Sequence, residues 1–145
     1  MSENTALTGA AGAYYIAFRL SALGYAVGLT TYGTRAIDIL VANPSTGKSI
    51  TVQTKTMRKT KRGSEGDQWW AWRVGKSMRP ANKHFFYIFL DLKDDASQTP
   101  DVFIVPSIKL PPLLQKFKGG DTWCNINEED AQEYQKWDII TGALG

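Results

Sequence analysis

The order of hydrophobic and polar positions predicts a helix followed by three strands in the first part of the chain. In residues 9–24, GAAGAYYIAFRLSALG, apolar side chains recur at spacings of three and four, which is typical of an amphipathic helix. Residues 25–31, 36–42 and 49–56 are rich in apolar and β-branched side chains and are predicted as strands. The buried stripe of the helix is expected to consist of Ala13, Ile16, Ala17, Leu20 and Leu23.

Turn-forming residues separate these elements. Gly24 is a typical stop for the helix, and Thr8 is expected to cap its start after a polar, frayed arm over residues 1–8. The sequence NPSTGK, residues 43–48, joins the second and third strands and predicts a hairpin between them.

The second half of the chain contains two strongly hydrophobic segments. Residues 84–92, HFFYIFLDL, and residues 101–106, DVFIVP, are predicted as strands. A short helix is predicted around residues 113–117, and a longer capped helix is predicted from Asn127 in NEEDAQEYQKW. Residues 57–83 are compatible with a short strand or with one or two helical turns.

This order of elements predicts an α/β fold with a central mixed sheet of about five strands flanked by helices. The chain has 145 residues, of which 43% are hydrophobic and 21% are charged, so we expect a single domain over residues 1–145 with its own core. No apolar run is long enough to span a membrane, and the start lacks a secretory pattern, so a cytosolic protein is expected. The single cysteine, Cys124, excludes an internal disulfide and a cysteine-rich zinc site.

Positive charge is concentrated in one segment. The chain carries a net charge of +3, whereas the segment from Lys55 to His84 contains nine cations and two acids. Such asymmetry is typical of a surface that attracts polyanions, although a solvated lysine-rich loop would look the same. The candidate nucleic-acid contacts in this segment are Arg58, Lys59, Lys61, Arg62, Trp69, Arg73, Lys76, Arg79 and Lys83.

Three tryptophans lie inside the basic segment. Trp70 and Trp72 alternate as the buried face of a strand would, so Trp69 is expected on the opposite side. Aromatic rings next to cations suit stacked bases and paired phosphates, and Trp69 is therefore the better candidate for a nucleic-acid contact.

The strand pair around the NPSTGK turn carries polar residues in otherwise apolar surroundings. Gln53 and Lys55 share one face of their strand, and hairpin pairing brings Asp38 close to that face. Because burying an unpaired charge costs several kcal/mol, these side chains either pair with each other or line a functional site. An Asp38–Lys55 ion pair at the sheet end is the purely structural alternative.

Three segments in this order, GAAGAYYIAFRLSALGY, AIDILVA and TVQTKT, resemble the core of the PD-(D/E)XK nuclease superfamily. That superfamily includes restriction-endonuclease-like folds and Holliday-junction resolvases, and its members share an αβββαβ core. Their usual pattern is an acid in the first helix, an Asp on the second strand and an (Asp/Glu/Gln)-x-Lys on the third. The resemblance covers residues 9–56.

The resemblance implies a role for each matched residue. Asp38 would be the principal metal ligand, with Gln53 and the backbone carbonyl of Thr54 as further ligands. Lys55 would orient and activate the attacking water. The implied cofactor is Mg²⁺ or Mn²⁺, which take hard oxygen ligands and rely partly on substrate phosphate.

The first helix departs from the family pattern. Similar members read G-x-x-G-E, whereas this chain has Ala13 in the position of the glutamate, and Gln53 is also neutral. We therefore expect weak metal binding, little cleavage by the chain as written and a gain of activity on Ala13→Glu. A naturally degenerate nuclease and a deliberately inactivated variant both remain compatible with Ala13.

Taken together, the sequence predicts a nucleic-acid-binding domain that is a Mg²⁺-dependent DNA endonuclease or an inactivated form of one. Duplex or branched DNA is the expected partner, and a homodimer is compatible with the resemblance. The alternative is a catalytically dead scaffold that binds a partner protein through its tryptophan-rich and basic surface.

Overall fold

The structure is a computed structural model that describes residues 4–32, 36–75 and 78–145. The helices are α1 (Thr5–Ala22), α2 (Ala131–Tyr134) and α3 (Asp138–Leu144). The strands are β1 (Ala26–Tyr32), β2 (Ala36–Ala42), β3 (Ser49–Met57), β4 (Lys61–Ser64), β5 (Asp67–Arg73), β6 (Phe85–Asp91), β7 (Asp101–Pro106), β8 (Leu114–Lys116) and β9 (Thr122–Asn127). No helix in these described ranges is long and apolar enough to cross a membrane.

Helix α1 starts earlier than the sequence pattern predicts. The side chain of Asn4 accepts hydrogen bonds from the backbone N–H groups of Ala6 and Leu7, so Asn4 and not Thr8 is the cap. The predicted arm over residues 1–8 is therefore wrong from Asn4 onwards, and residues 1–3 lie outside the described residues. Leu23, predicted in the buried stripe, is 46% exposed because the helix has already ended.

The central sheet, sheet A, has five strands in the order β1-β2-β3-β6-β7. Strands β1, β2 and β3 form an antiparallel meander, β3 runs parallel to β6, and β6 is antiparallel to β7. The predicted α/β fold with a mixed five-stranded sheet is confirmed. The connection between β3 and β6, where the resemblance implies a helix, instead contains the hairpin of β4 and β5.

The two faces of sheet A are covered by different layers. Helices α1 and α3 pack on one face around Ile16, Val52 and Ile140. A second, four-stranded sheet, sheet B, covers much of the other face in the order β4-β5-β9-β8. Its inner side is aromatic, with the ring of Trp72 lying 5.2 Å from that of Phe103.

The predictions for the end of the chain are wrong in detail. Residues 111–113 form a short 3₁₀ turn, and the segment after it is strand β8, not a helix. Strand β9 continues through Asn127, so the predicted capped helix is replaced by a 3₁₀ turn and the separate helices α2 and α3. Thr122, Cys124 and Ile126 are all buried, and their alternation is typical of a strand. The polar residues from Asn127 onwards, which are typical of a helix start, hid this signal.

Candidate functional site

Strands β2 and β3 separate at the residues singled out from the sequence. Asp38 lies directly opposite Gln53, and within the described residues this is the last pair of the β2–β3 ladder. Beyond it, β2 stays paired with β1 up to Ala36, and β3 stays paired with β6 up to Met57. The divergence creates a fork, which we call the fork site.

The fork site contains the predicted polar residues on one face of sheet A. Asp38, Gln53 and Lys55 share the side that faces sheet B, since their neighbours Ile39 and Val52 face α1. The structure therefore brings these three side chains into one environment, as the sequence predicts.

The backbone of Thr54 points towards the opening. The N–H of Thr51 donates to the carbonyl of His84 beside β6. Because backbone groups alternate along a strand, those of Thr54 are directed to the β2 side, where the described ladder has ended. The Thr54 carbonyl named by the resemblance is thus positioned at the fork.

Asp38 is paired with an arginine and not with Lys55. Asp38 as a whole is 4% exposed, and its carboxylate accepts two hydrogen bonds from the guanidinium of Arg79, at 2.9 and 2.5 Å. The Arg79 side chain remains 42% exposed, and its guanidinium lies 4.6 Å from the centre of the Phe85 ring. Arg79, predicted only as a nucleic-acid contact, is therefore the counter-ion of the principal site carboxylate.

Lys55 lies beside this pair but has a different hydrogen-bond partner. Its ammonium donates to the backbone carbonyl of Val74, at 3.3 Å, which follows strand β5. Burial lowers the pKa of Lys55, the positive charge of Arg79 lowers it further, and Asp38 partly opposes both effects. The fork site thus holds two neighbouring cations for a single carboxylate.

Tyr87 is a site residue that the sequence reasoning missed. It lies opposite Gln53 in the β3–β6 ladder and is only 2% exposed. Among the described residues its hydroxyl has no hydrogen-bond partner at normal geometry. Burial raises the pKa of Tyr87, while Arg79 opposes this rise, so the phenol is a neutral donor next to Arg79.

The position of the missing acid lies on the other side of the sheet. Ala13 is fully buried on α1, whose apolar stripe packs against the face opposite Asp38. The helix approaches β3 so closely at Gly12 that a Cβ there would overlap the Thr56 hydroxyl. The structure therefore does not place Ala13 among the side chains of the fork site.

The donor set does not fit a divalent metal ion. No three acidic, histidine or cysteine side chains converge anywhere in the described parts of the chain. Both oxygens of Asp38 already accept from Arg79, Gln53 supplies only a neutral amide, and the Lys55 ammonium repels cations. Mg²⁺ and Mn²⁺ prefer several hard, mostly anionic oxygens, whereas this arrangement suits an anion.

The basic residues do not form one stripe. Four are paired with acids: Lys59 with Asp94 at 3.2 Å, Lys61 with Glu128 at 3.6 Å, Arg73 with Asp121 at 3.5 Å, and Arg79 with Asp38. Arg58 donates to the Lys93 carbonyl, Lys83 is exposed near His84, and Arg62 lies on the outer side of sheet B. Lys76 lies outside the described residues. The predicted continuous contact surface is therefore divided over separate parts of the molecule.

The tryptophans follow the predicted alternation. Trp70 and Trp72 are buried, at 6% and 0% exposure, between the two sheets. Trp69 is partly exposed on the opposite side, as expected, and it is joined there by Trp123. Burial raises the pKa of the Cys124 thiol to about 12, which makes it an unreactive core side chain.

Comparison with other proteins does not extend these observations. No protein-family model matches the chain, and neither the curated proteins nor the solved structures contain a significant match.

Proposed function

We propose that the protein is a nucleic-acid-binding domain of the PD-(D/E)XK nuclease type that holds a phosphodiester at the fork site without hydrolysing it. The proposal is supported by the succession of α1, the antiparallel meander and a parallel β6, together with the resemblance of residues 9–56. The observation that carries it is the guanidinium of Arg79, fixed by the buried Asp38 carboxylate at the point where β2 and β3 diverge.

Charge and hydrogen bonding explain how this site would hold a phosphate. Asp38 engages one edge of the Arg79 guanidinium and leaves the partly exposed remainder able to donate to phosphate oxygens. The Lys55 ammonium adds a second positive charge beside the guanidinium. A phosphate would thus offset the repulsion between the two cations and raise the pKa of Lys55.

The role of Asp38 in this arrangement is positioning. A bidentate carboxylate fixes the plane of the guanidinium and reduces the entropy lost when a phosphate binds. Because the donor set does not fit a metal ion, we expect the chain as written to bind DNA without cleaving it.

The test is the salt dependence of binding to a short labelled DNA duplex, measured by fluorescence anisotropy from about 50 to about 200 mM salt. Lys55→Met keeps most of the apolar stem but removes the charge. We expect it to weaken binding roughly tenfold and to reduce the slope of log K against log salt by about one. Lys136→Met, a change of an exposed lysine on the last part of the chain, is the matched control and should do neither.

Equal affinities for Lys55→Met and Lys136→Met would overturn the fork site as the phosphate site. Plasmid cleavage by the wild type with Mg²⁺ or Mn²⁺ would contradict binding without hydrolysis. Cleavage by Ala13→Glu alone would contradict the separation of Ala13 from the fork site, because the restored acid would then have to act together with Asp38.

One observation favours the alternative of a protein-binding scaffold. Most of the basic residues with a described partner are neutralised by acids, whereas Trp69 and Trp123 share an open surface. An aromatic protein interface would respond much less to salt than phosphate binding. Absence of salt-dependent DNA binding by the wild type would therefore favour the scaffold.

A further inference from the structure

A second candidate site lies on the outer face of sheet B, the side directed away from sheet A. Side chains alternate along each strand, so burial of Trp70 and Trp72 directs Trp69 and Ala71 outwards. The same alternation directs every second residue of β9 outwards. The outer face is a concave surface lined by Arg62, Trp69, Ala71, Gln115, Phe117, Trp123, Asn125 and Asn127.

Its volume and charge suit an anionic ligand with a planar ring. The concavity measures about 560 Å³, which is within the range of small-molecule sites. None of its eight lining residues is acidic. Within the described chain Arg62 has no carboxylate at salt-bridge distance, so its charge is available to a ligand.

Aromatic and guanidinium groups are adjacent on this face. The guanidinium of Arg62 lies 5.8 Å from the centre of the Trp123 ring, and that of Arg73 lies 5.5 Å from it. Trp69 contributes a second ring from β5, which lies two strands away from β8 in sheet B. The Trp69 ring packs over Gly63 of β4, where an added side chain would collide with it. Stacking on an indole beside a guanidinium is how nucleobases with attached phosphates are held in single strands.

Two amides add the capacity to contact a base edge. The amide nitrogen of Asn125 donates to the amide oxygen of Gln115 at 2.7 Å. This bond leaves the Asn125 oxygen as an acceptor and the Gln115 nitrogen as a donor on the exposed surface. A donor and an acceptor are the two functions that the edge of a nucleobase presents.

We propose that the outer face of sheet B binds unpaired nucleobases of a single-stranded nucleic acid. A base stacks on Trp123, a second base stacks on Trp69, and a phosphate pairs with Arg62. The Asn125–Gln115 pair contacts a base edge. A duplex hides its base faces, so this surface selects single strands, and it is separate from the fork site on sheet A.

The charge of the lining favours nucleic acid over a neutral ligand. Carbohydrates also stack on tryptophan and bond to amides, but they gain little from the guanidinium of Arg62, which has no carboxylate partner among the described residues. An oligosaccharide is therefore an alternative outcome of the test.

The experiment compares a labelled single-stranded oligonucleotide with a fully paired, blunt-ended duplex of the same sequence by fluorescence anisotropy. We expect Trp123→Ala to weaken single-strand binding about 5- to 150-fold, the effect of losing one base–aromatic stack. Duplex binding should change little. Tyr14→Ala removes an exposed aromatic ring from α1, is 61% exposed in the wild type, and should change neither affinity.

Arg62→Gln provides a second readout that does not depend on the packing of an indole. Its side chain is exposed, and we expect it to weaken single-strand binding and to reduce the salt slope by about one while the fold is retained by circular dichroism. Unchanged single-strand affinity of both Trp123→Ala and Arg62→Gln would overturn the proposal.

Two further outcomes separate this proposal from others. Binding of a soluble neutral oligosaccharide that is lost in Trp123→Ala, without single-strand binding by the wild type, would overturn it in favour of a carbohydrate site. The two sites are read out separately, by duplex binding of Lys55→Met and by single-strand binding of Trp123→Ala. If the fork site does not bind phosphate, duplex affinity will be unchanged in Lys55→Met. If the outer face of sheet B does not bind bases, single-strand affinity will be unchanged in Trp123→Ala.

Discussion

Two buried aspartates on sheet A differ in what neutralises them. Asp38 on β2 is 4% exposed and Asp91 at the end of β6 is 3% exposed. Asp91 accepts hydrogen bonds from the backbone N–H groups of Lys59, Thr60 and Lys93 at 3.0, 3.1 and 2.8 Å, and from the Thr60 hydroxyl at 3.1 Å. These donors are fixed by the fold, so Asp91 fastens the segment after β3 and the end of β6 together.

Asp38 has no such set of backbone donors among its described contacts. Its oxygens are satisfied by the guanidinium of Arg79, a side chain that is 42% exposed. Equal burial therefore accompanies different roles. A carboxylate held by the main chain is structural, whereas in the proposed function a carboxylate paired with a partly exposed cation positions that cation for a ligand.

The largest effect is expected for Asp91→Ala. Four donors would lose their acceptor, three of them backbone groups that cannot turn away, so the free energy of unfolding should fall by at least ~3 kcal/mol. Urea denaturation measures the loss. Asp91→Asn keeps one acceptor oxygen and should lose less. A loss below 1 kcal/mol for Asp91→Ala would remove the contrast with Asp38.

An intermediate effect is expected for Arg79→Ala. The change leaves the Asp38 carboxylate buried without its counter-ion, and the partial exposure of Arg79 limits the cost to about 2 kcal/mol. Adding Asp38→Asn removes the unpaired charge and should restore most of the stability. Urea denaturation of the two single variants and the double variant measures this coupling. Simple additivity would show that the pair is not coupled.

The smallest expected effect is a pH-dependent difference in the free energy of unfolding between the wild type and Lys55→Met. Burial lowers the pKa of Lys55 in the folded state below 10.5. The charged ammonium therefore reduces the stability of the fold as long as Lys55 is protonated in both the folded and the unfolded state. As pH rises from that lowered pKa towards 10.5, the folded state releases its proton first and the penalty disappears.

The stability of the wild type should therefore increase relative to Lys55→Met as the pH is raised from 7 towards 10. Urea denaturation of both proteins across this range measures the difference. A difference in the free energy of unfolding between the two proteins that does not change with pH would show that Lys55 is not desolvated beside Arg79.

The parts of the fold that could be predicted from the sequence are those with long local patterns. Helix α1, the β2–β3 hairpin and the apolar strands β6 and β7 each carry their own periodicity or turn residues. Sheet B could not be predicted, because β4 and β8 are short and β5 pairs with the distant β9. Local propensity contains no information on such a pairing.

The fork site, too, could be predicted only where a local pattern encodes it. The hairpin turn places Asp38 opposite Gln53, since both flank one local connection. The Arg79–Asp38 pair joins residues 41 positions apart and depends on where the chain between β5 and β6 returns, which no local pattern encodes. Asp91 had a signal that was overlooked: a carboxylate inside the apolar run FFYIFLDL demands a partner as Asp38 does.

The hairpin between β3 and β6 has a consequence for how this protein can change over evolutionary time. In β5, neighbouring residues serve opposite purposes, since Trp70 and Trp72 fill the interior while Trp69 and Arg73 meet solvent. Mutations at the solvent-facing positions can therefore accumulate without disturbing the interior. A lineage carrying this architecture could acquire new ligands on the outer face of sheet B while the packing between the two sheets stays unaltered.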